Sequence, residues 1–519
     1  MAKKLSIEQI LQRHKLAQNR KEDFRSLYED AMEFALPQRN LYSGDYEGKT
    51  GGRKKMARVF DSTAINSTQR FANRLQSGIF PPQRKWCRLE PGSDIPNERR
   101  SEAQRVLDMY NEKMFAVLKQ SNFDIAMGEF LLDLSVGTAV MLIQPGDAVS
   151  PINFIPVPQY LVSFEEGANG QVDNVYRRMR IKGEAIPQKW ADAVIDAELS
   201  RTIEEKPTEE VDLIEATIYD YDRGDFCYHV IHEKSKSELV YRRMKTSPWV
   251  VSRYMKVAGE IYGRGPVLTA LPDIKTLNKT LELLLKNASL AITGVYTAAD
   301  DGVLNPNTVK IVPGAIIPVA RNGGPQGEAL KPLPRAGDFN VSQIIINDLR
   351  ANIKRTLLDE SLPPDNMSAR SATEVVERMK ELAQNLGSAF GRLINETMIP
   401  IVSKILEVMD GAGIIDLPLR VNGLEVRVSP VSPLAMAQNM DEVNNIMQFM
   451  QIAQSMGPEA AMAIKTSAAV DYIADKLGVP AVVRTTPEER QQMMQQMQQM
   501  AMQAQQAQAQ PEPQPMGGM

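Results

Sequence analysis

Hydrophobic positions recur at three- and four-residue intervals from Ser6 to about Leu36, through Ile7, Ile10, Leu11, His14, Ala17, Phe24, Leu27, Tyr28 and Ala31, with charges between them. This period predicts one or two helices with one apolar face, closed by Pro37. Arg39 to Lys55 is rich in glycine and charge and has no period, which predicts an exposed loop. Helical spacing resumes at Asp61, an N-cap residue type, and sets Ala64, Ile65, Thr68, Phe71, Ala72 and Leu75 on one face before Gly78 and Pro81-Pro82 stop it. Lys85 to Glu90 reads as a short strand. Ser101 to about Gln120 reads as a helix carrying Val106, Leu107, Tyr110, Met114 and Leu118. From Gly137 to Arg180 the period shortens to two in runs such as Ala139 to Ile143, Tyr160 to Phe164 and Val172 to Arg180, and Val211 to Val251 continues the pattern. A substantial sheet is expected.

Two longer helical patterns follow. Between Arg264 and Ile292, Leu271, Ile274, Leu277, Leu281, Leu284, Ala288 and Ile292 share a helical face, in an element about 40 Å long at 1.5 Å per residue. From about Phe339 to Leu358, Val341, Ile345, Leu349, Ile353 and Leu357 lie on one side and Gln343, Asn347, Arg350 and Lys354 on the other. Between the two, Thr293 to Gly337 is full of Pro, Gly and β-formers, including Thr308 to Pro313 and Ala315 to Val319, and predicts a small β-containing unit. Ser371-Ala-Thr-Glu374 is a capping box opening a helix that runs to about Met409 with a bend at Pro400. A strand from Leu424 to Val428 comes next, then a helical region from Ser432-Pro433 to about Thr486. Past Glu488 the chain is Gln, Met and Ala, a composition that predicts no fixed fold. The fold class is therefore α+β and helix-rich.

With 519 residues, 43% of them apolar and 24% charged, the chain can bury a large core in several packed units. Its longest apolar runs, such as Leu281 to Leu285 and Ile344 to Ile346, fall far short of the roughly 20 residues that cross a bilayer. The charged start, with Arg20, Lys21, Glu22 and Asp23, lacks the apolar stretch of a secretory signal, so the cytoplasm is expected. Two cysteines, Cys87 and Cys227, supply no disulfide framework. A net charge of −4 gives no basic excess for tight non-specific nucleic-acid binding.

Candidate chemistry is sparse. Gly44-Asp-Tyr-Glu-Gly48-Lys49-Thr50 has too few residues between its glycines for a phosphate loop, and no strand leads into it. Cys227, His229, His232 and Glu233 have metal-ligand chemistry, but 227 and 229 share one strand face while 232 takes the other, so convergence needs a bulge. The remaining histidine, His14, forms no dyad. The acidic pairs Asp300-Asp301 and Asp359-Glu360 read as solvated loop edges. No cofactor is expected. The polar stripe of Gln343, Asn347, Arg350 and Lys354 is either a solvated helix face or a DNA-facing wall.

The segment Val59 to Leu89, VFDSTAINSTQRFANRLQSGIFPPQRKWCRL, resembles the signature of the head-to-tail connecting proteins, the portal proteins of T7-like short-tailed bacteriophages. EFLLDLSVGTAV from Glu129, YGRGPVLTALPDIKTLNKTL from Tyr262, SARSATEVVERMKEL within Leu362 to Ala389, and Asp475-Lys-Leu-Gly-Val-Pro480 extend the resemblance over nearly the whole chain. It implies a phage portal fold: an α/β wing over 1–263 and 371–430, stem helices over 264–292 and 339–360, a clip over 293–338, a tunnel loop over 361–370, a helical crown over 431–488 and a Gln- and Met-rich tail over 489–519. It also implies a non-enzymatic ring of about twelve subunits in the virion, closed through one repeated heterologous contact. Double-stranded DNA would pass through it without sequence specificity. Expected partners are the terminase motor, the tail adaptor, scaffold and major capsid proteins and internal core proteins, with no membrane. Under this resemblance Arg350, Lys354 and Arg355 are candidates to face DNA, and Leu362, Pro363, Pro364, Asp365 and Asn366 form the tunnel loop. Asn305, Asn307, Arg321, Lys331 and Arg335 would contact motor or adaptor, and Leu277, Leu281, Leu284, Ile345, Leu349 and Ile353 would pack the stem. Competing expectations are another structural virion protein, such as a capsid or tail-tube subunit, and a metal-dependent nucleic-acid enzyme using dispersed carboxylates.

Overall fold

The computed structural model describes residues 5–39, 56, 58–92, 95–147, 149–293, 295–299, 315–319, 330–332, 339–359, 384–416, 426–457 and 464–476, with isolated positions between 485 and 500. In chain order the elements are α1 (Ile7–Glu22), α2 (Arg25–Ala35), α3 (Thr63–Ile79), β1 (Cys87–Pro91), α4 (Asn97–Gln120), α5 (Phe123–Val136), β2 (Thr138–Pro145), β3 (Ile152–Pro156), β4 (Val162–Glu166) and β5 (Val172–Lys182). They continue with α6 (Ile186–Lys189), α7 (Ala197–Glu205), β6 (Glu210–Asp220), β7 (Asp225–His232), β8 (Ser237–Met244), β9 (Trp249–Arg253), α8 (Pro266–Thr293), β10 (Tyr296–Ala299), β11 (Ile316–Val319), β12 (Leu330–Pro332) and α9 (Phe339–Thr356). Last come α10 (Ser388–Leu393), a π-helical turn (Ile394–Met398), α11 (Ile399–Gly411), β13 (Val426–Pro430), α12 (Pro433–Ser455) and α13 (Thr466–Lys476). The helix-rich α+β class is as the sequence predicts.

The chain forms two compact units. One contains Met1–Trp86, Lys113–Pro418 and Ser432–Ala437; the other contains Cys87–Glu112, Leu419–Val431 and Gln438–Met519. In the first, β4-β5-β6-β7-β8 make an antiparallel meander whose side chains alternate between two cores. Ala216 and Ile218 of β6, with Tyr176 and Ile231, meet Ile10 and Ala17 of α1. Val211 and Leu213 of β6, with Tyr228 and Val230, meet Ile186, Trp190 and Leu199 from the α6 and α7 region. The α1 start is held by a full capping box between Ser6 and Gln9.

A third core joins the order β3-β2-β9 to the helices: Val140, Leu142 and Trp249 share it with Tyr28, Ala31, Ala64, Val267, Ile274, Leu277, Ile346, Ile353 and Leu357. The buried guanidinium of Arg253, at the end of β9, knits this region together. Its Nη2 donates to Glu396 in the π turn at 2.8 Å and to the Gly170 carbonyl at 3.0 Å, its Nη1 to Glu166 at 3.2 Å, and its backbone N–H to Glu396 at 2.9 Å. The bend expected at Pro400 takes the form of this π turn, just before the proline that cannot donate to the helix. In the second unit, β1 pairs antiparallel with β13 and Arg88 pairs with Asp108 at 3.2 Å.

Four elements lack the signals the sequence reading used. α5 carries exposed Ile125 and half-buried Leu132 as well as apolar residues on its buried side, so its sequence shows no clear stripe. β3, α6 and α7 are short. The capping box at Ser371 and the residues to 383 lie outside the described residues, as does the glycine loop at 44–50.

Candidate functional site

The two long helical patterns fold into α8 and α9, packed on each other and on one core. Leu277 and Ile353 are buried and Leu281, Leu284 and Leu349 half-buried in it. Ile345 is the exception: it is 46% exposed, and Ile346 takes the buried place. The apolar run Ile344-Ile345-Ile346 offers three registers, and the turn from 346 to 353 and 357 selects the last. Beyond the core, the pair leaves Leu283, Leu285, Ile344 and Ile345 in solvent. β10 pairs parallel with β11 and antiparallel with β12, where Lys331 lies opposite Thr297. Asn305, Asn307, Arg321 and Arg335, and all of Leu362, Pro363, Pro364, Asp365 and Asn366, lie outside the described residues.

What holds the pair is the signature segment. Asn278 of α8, nearly buried, accepts from the Phe60 N–H at 2.7 Å and donates to the Arg58 carbonyl at 2.8 Å, so one amide satisfies two backbone groups. Asp61, expected as the N-cap, stands one residue before the actual N-cap Ser62; it accepts from the Thr63 N–H at 2.7 Å through Oδ1 and from Arg350 of α9 through Oδ2 at 2.7 and 3.0 Å. Burial pushes the Asp61 carboxyl up, but the bonds from Thr63 and Arg350 outweigh it and hold it below the ordinary range. Arg350, expected to face DNA, is instead committed to this ion pair. Lys354 and Arg355 are exposed.

At the far end, Asp359 is 1% exposed. Ser67 of α3 donates to it at 2.7 Å and Arg70 at 3.2 Å, and Arg74 donates to the Leu358 carbonyl. The expectation that Asp359-Glu360 is a solvated edge therefore fails for Asp359. The turn that delivers it is a Schellman motif: the Asp359 N–H bonds the Lys354 carbonyl at 2.7 Å and the Leu358 N–H bonds the Arg355 carbonyl at 3.0 Å. Leu358 sits in the left-handed region at φ 53°, where glycine is usual. Breaking a buried pair such as Arg70–Asp359 costs about 3–5 kcal/mol in fully buried cases, and less here because Arg70 itself is exposed.

The entry to α8 is fixed by backbone crossing. A Cβ on Gly137 would run into the Gly263 carbonyl, one on Gly263 into the Gly137 carbonyl, and one on Gly265 into that of Ser135. Tyr28 donates to the Gly263 carbonyl, and the Gly263 N–H donates to Thr138 Oγ1 at 2.8 Å. Segments 129–140 and 262–281, noted separately in the sequence, thus meet atom against atom.

Metal chemistry finds a weaker frame. The bulge that convergence requires does occur, between Val230 and Ile231, but His229 pairs with Glu238 at 2.7 Å and His232 with Ser235 at 2.7 Å. Asp220, Asp225 and Cys227 come within reach of one another, yet Arg243 spans both carboxylates at 2.6 Å. Cys87 is buried, which pushes its thiol well up. Among the described residues no helix is long and apolar enough to cross a membrane.

The sequence reading missed Ser67, Arg70, Asn278 and Asp359 as site residues. One signal was available: Asp61 and Arg70 are nine residues apart, as are Arg350 and Asp359, with the charges exchanged.

The family model described as "Bacteriophage head to tail connecting protein" matches residues 7–484. A protein named "Probable portal protein" of Bordetella phage BPP-1 is 23% identical, over 96% of this chain and 94% of the relative. The portal protein of Escherichia phage T7 is 22% identical over 65% of this chain and 63% of its own length. Among solved structures, a chain of "Virion of native gene transfer agent (GTA) particle" is similar at a TM-score of 0.31 and 12% identity, over 85% of this chain and 93% of that one. The family match takes in α3, its clamp on α8 and α9, and both segments of the glycine crossing, and on it the chain belongs to the bacteriophage head to tail connecting protein family.

Proposed function

We propose that this chain is the subunit of a portal ring, the connector through which double-stranded DNA enters and leaves a phage head. The observation that carries the proposal is the family match over residues 7–484, on a chain whose α8–α9 pair leaves Leu283, Leu285, Ile344 and Ile345 uncovered. Four large apolar side chains left wet along one helix pair are more than a self-sufficient subunit needs to expose, and a heterologous contact repeated round a closed circle would cover some of them.

In this reading α8 and α9 are the stem, residues 293–338 the clip that meets motor and adaptor, 361–370 the tunnel loop, 1–263 with 371–430 the wing, and 431–488 the crown. Lys354 and Arg355 face DNA, and Arg350 positions α9 instead. A wall some 40 Å tall surrounds roughly two dozen phosphates, so a few rings of cations offset part of the repulsion without reading bases. The role is structural, with force supplied by a separate ATPase, and terminase, tail adaptor, scaffold, major capsid and internal core proteins are its partners in the virion.

The test is the mass and rotational symmetry of the purified full chain, by native mass spectrometry and electron microscopy. The expected result is a discrete ring of about twelve copies with a central hole. A chain that stays monomeric, or stacks into open tubes, overturns the proposal.

A further inference from the structure

We infer that the exchanged ion pairs, Asp61 with Arg350 and Arg70 with Asp359, set the angle at which α9 leaves the body of the subunit and so determine how many copies close the ring. The inference rests on the portal reading above. Its geometry is independent of that reading.

Equal nine-residue spacing on both elements means that residues 61–70 and 350–359 run side by side, in the same direction and in register. Only that register satisfies both pairs. A slip of one turn one way sets Arg70 against Arg355; a slip the other way offers Asp61 to Lys354 but strips buried Asp359 of Arg70. Apolar packing between the helices is non-directional and tolerates small tilts. Two charge-assisted contacts at fixed points do not.

The distances match what ring closure demands. Nine residues span about 13 Å along a helix; here Arg350 to Thr356 is helical and the Schellman turn completes the stretch, so the anchors stand about that far apart or slightly less. Freedom of about 0.5 Å at one anchor tilts α9 by about 2° when the other anchor holds, the same size as the difference in angle per subunit between rings of about twelve and thirteen copies. With either ion pair gone the angle is held less tightly at the scale that separates neighbouring ring sizes, although Ser67 and Arg74 still bond the turn at the Asp359 end. Arg350 and Asp359 are therefore positioning residues for ring size, and they act through α3.

Native mass spectrometry of the assembled full chain tests this with Arg350→Ala, Asp359→Asn and the conservative Arg350→Lys, alongside amide exchange across α9. The unsubstituted chain should give one ring mass. Arg350→Ala and Asp359→Asn should still form rings, with the ratio of neighbouring to main ring size raised about five-fold and faster exchange in α9. Arg350→Lys keeps a charge on Asp61 and should stay close to the unsubstituted chain. Folded variants that give the same single ring mass overturn the inference and leave the portal reading standing. An unsubstituted chain that forms no ring overturns both. Should either variant lose its secondary structure by circular dichroism, Arg350→Gln, at a half-buried position, and Arg70→Gln, at an exposed one, carry the same test with the same two outcomes.

Discussion

The five-stranded sheet and the α8–α9 pair are made of similar residues but finish differently. The sheet is covered on both faces, by α1 on one and by the α6–α7 region on the other, and its alternating strands leave little apolar surface over. The helix pair buries Leu277, Ile346 and Ile353 and leaves Leu283, Leu285, Ile344 and Ile345 in solvent. One region is complete within a single chain. The other, in the portal reading, is completed by further copies, and it is held in place by polar contacts at measured points. Apolar burial supplies most of the stability of both, but direction comes from hydrogen bonds and ion pairs. The comparison can be broken by showing that the sheet body fails without assembly, or that the helix pair needs no neighbour.

The largest effect on the single subunit is expected at Arg253. Arg253→Ala removes a guanidinium, 2% exposed, that bonds both Glu396 and Glu166, while Arg392 and Lys256 each still reach one of the two carboxylates. The loss should be about 3 kcal/mol, the low end for a broken buried pair, read as a lower urea midpoint of the unassembled subunit. A loss under about 1 kcal/mol would mean that the body does not depend on this hub.

A smaller effect follows pH. Burial, with Lys21 and Arg178 close by, pushes His14 down to about 4, so the folded body holds it neutral while the unfolded chain protonates near 6.5. Between those values the unfolded state binds the extra proton. Stability is therefore fully present above about 6.5 and declines as pH falls towards 4. Denaturation midpoints at pH 7 and pH 5 should differ by about 2 kcal/mol from this group, and His14→Gln should flatten that part of the profile. An unchanged slope in His14→Gln would place the pH dependence elsewhere.

At the end of α9 the expected change is a gain. Leu358 holds a left-handed conformation that costs about 1–2 kcal/mol for a residue with a Cβ, and Leu358→Gly relieves it at the cost of extra freedom in the unfolded chain. The net gain should be about 0.5 kcal/mol by thermal unfolding. A loss above about 1 kcal/mol, roughly the worth of one buried methylene, would show that the half-buried leucine side chain secures the turn.

How much of this was legible depended on whether an element shows water one consistent face. α1, α3, α8 and α9 do, and their periods were readable. In α5 the contrast is blurred, since its exposed side carries Ile125, 73% exposed, beside Asp124 and Glu129, opposite the buried Phe123, Met127, Phe130, Leu131 and Leu134. Arg350 looked like a channel cation because sequence places it on the polar face of α9; only the fold brings Asp61 to it across 289 positions. Asp359 looked exposed because it borders a Pro-containing stretch, and nothing local announces that Ser67 and Arg70 will enclose it. Long-range pairing of short polar side chains has no period.

The smallest effect on the isolated subunit is expected where the comparison is sharpest. Leu285→Asp with Ile345→Asp puts charge on side chains that are already about half in water, so the unassembled subunit should change by less than about 0.5 kcal/mol. Assembly should nonetheless be lost, because each new carboxylate would be buried unpaired against the next copy. Leu277→Asp cannot serve for this purpose: Leu277 is 1% exposed in the subunit's own core, so its loss would unfold the chain before assembly is reached. Sedimentation separates the outcomes. A stable, monomeric double variant fits a helix pair finished by its neighbours, whereas rings that form normally from it would mean that the uncovered side of α8 and α9 faces the channel or solvent and that the subunit contact lies on another surface.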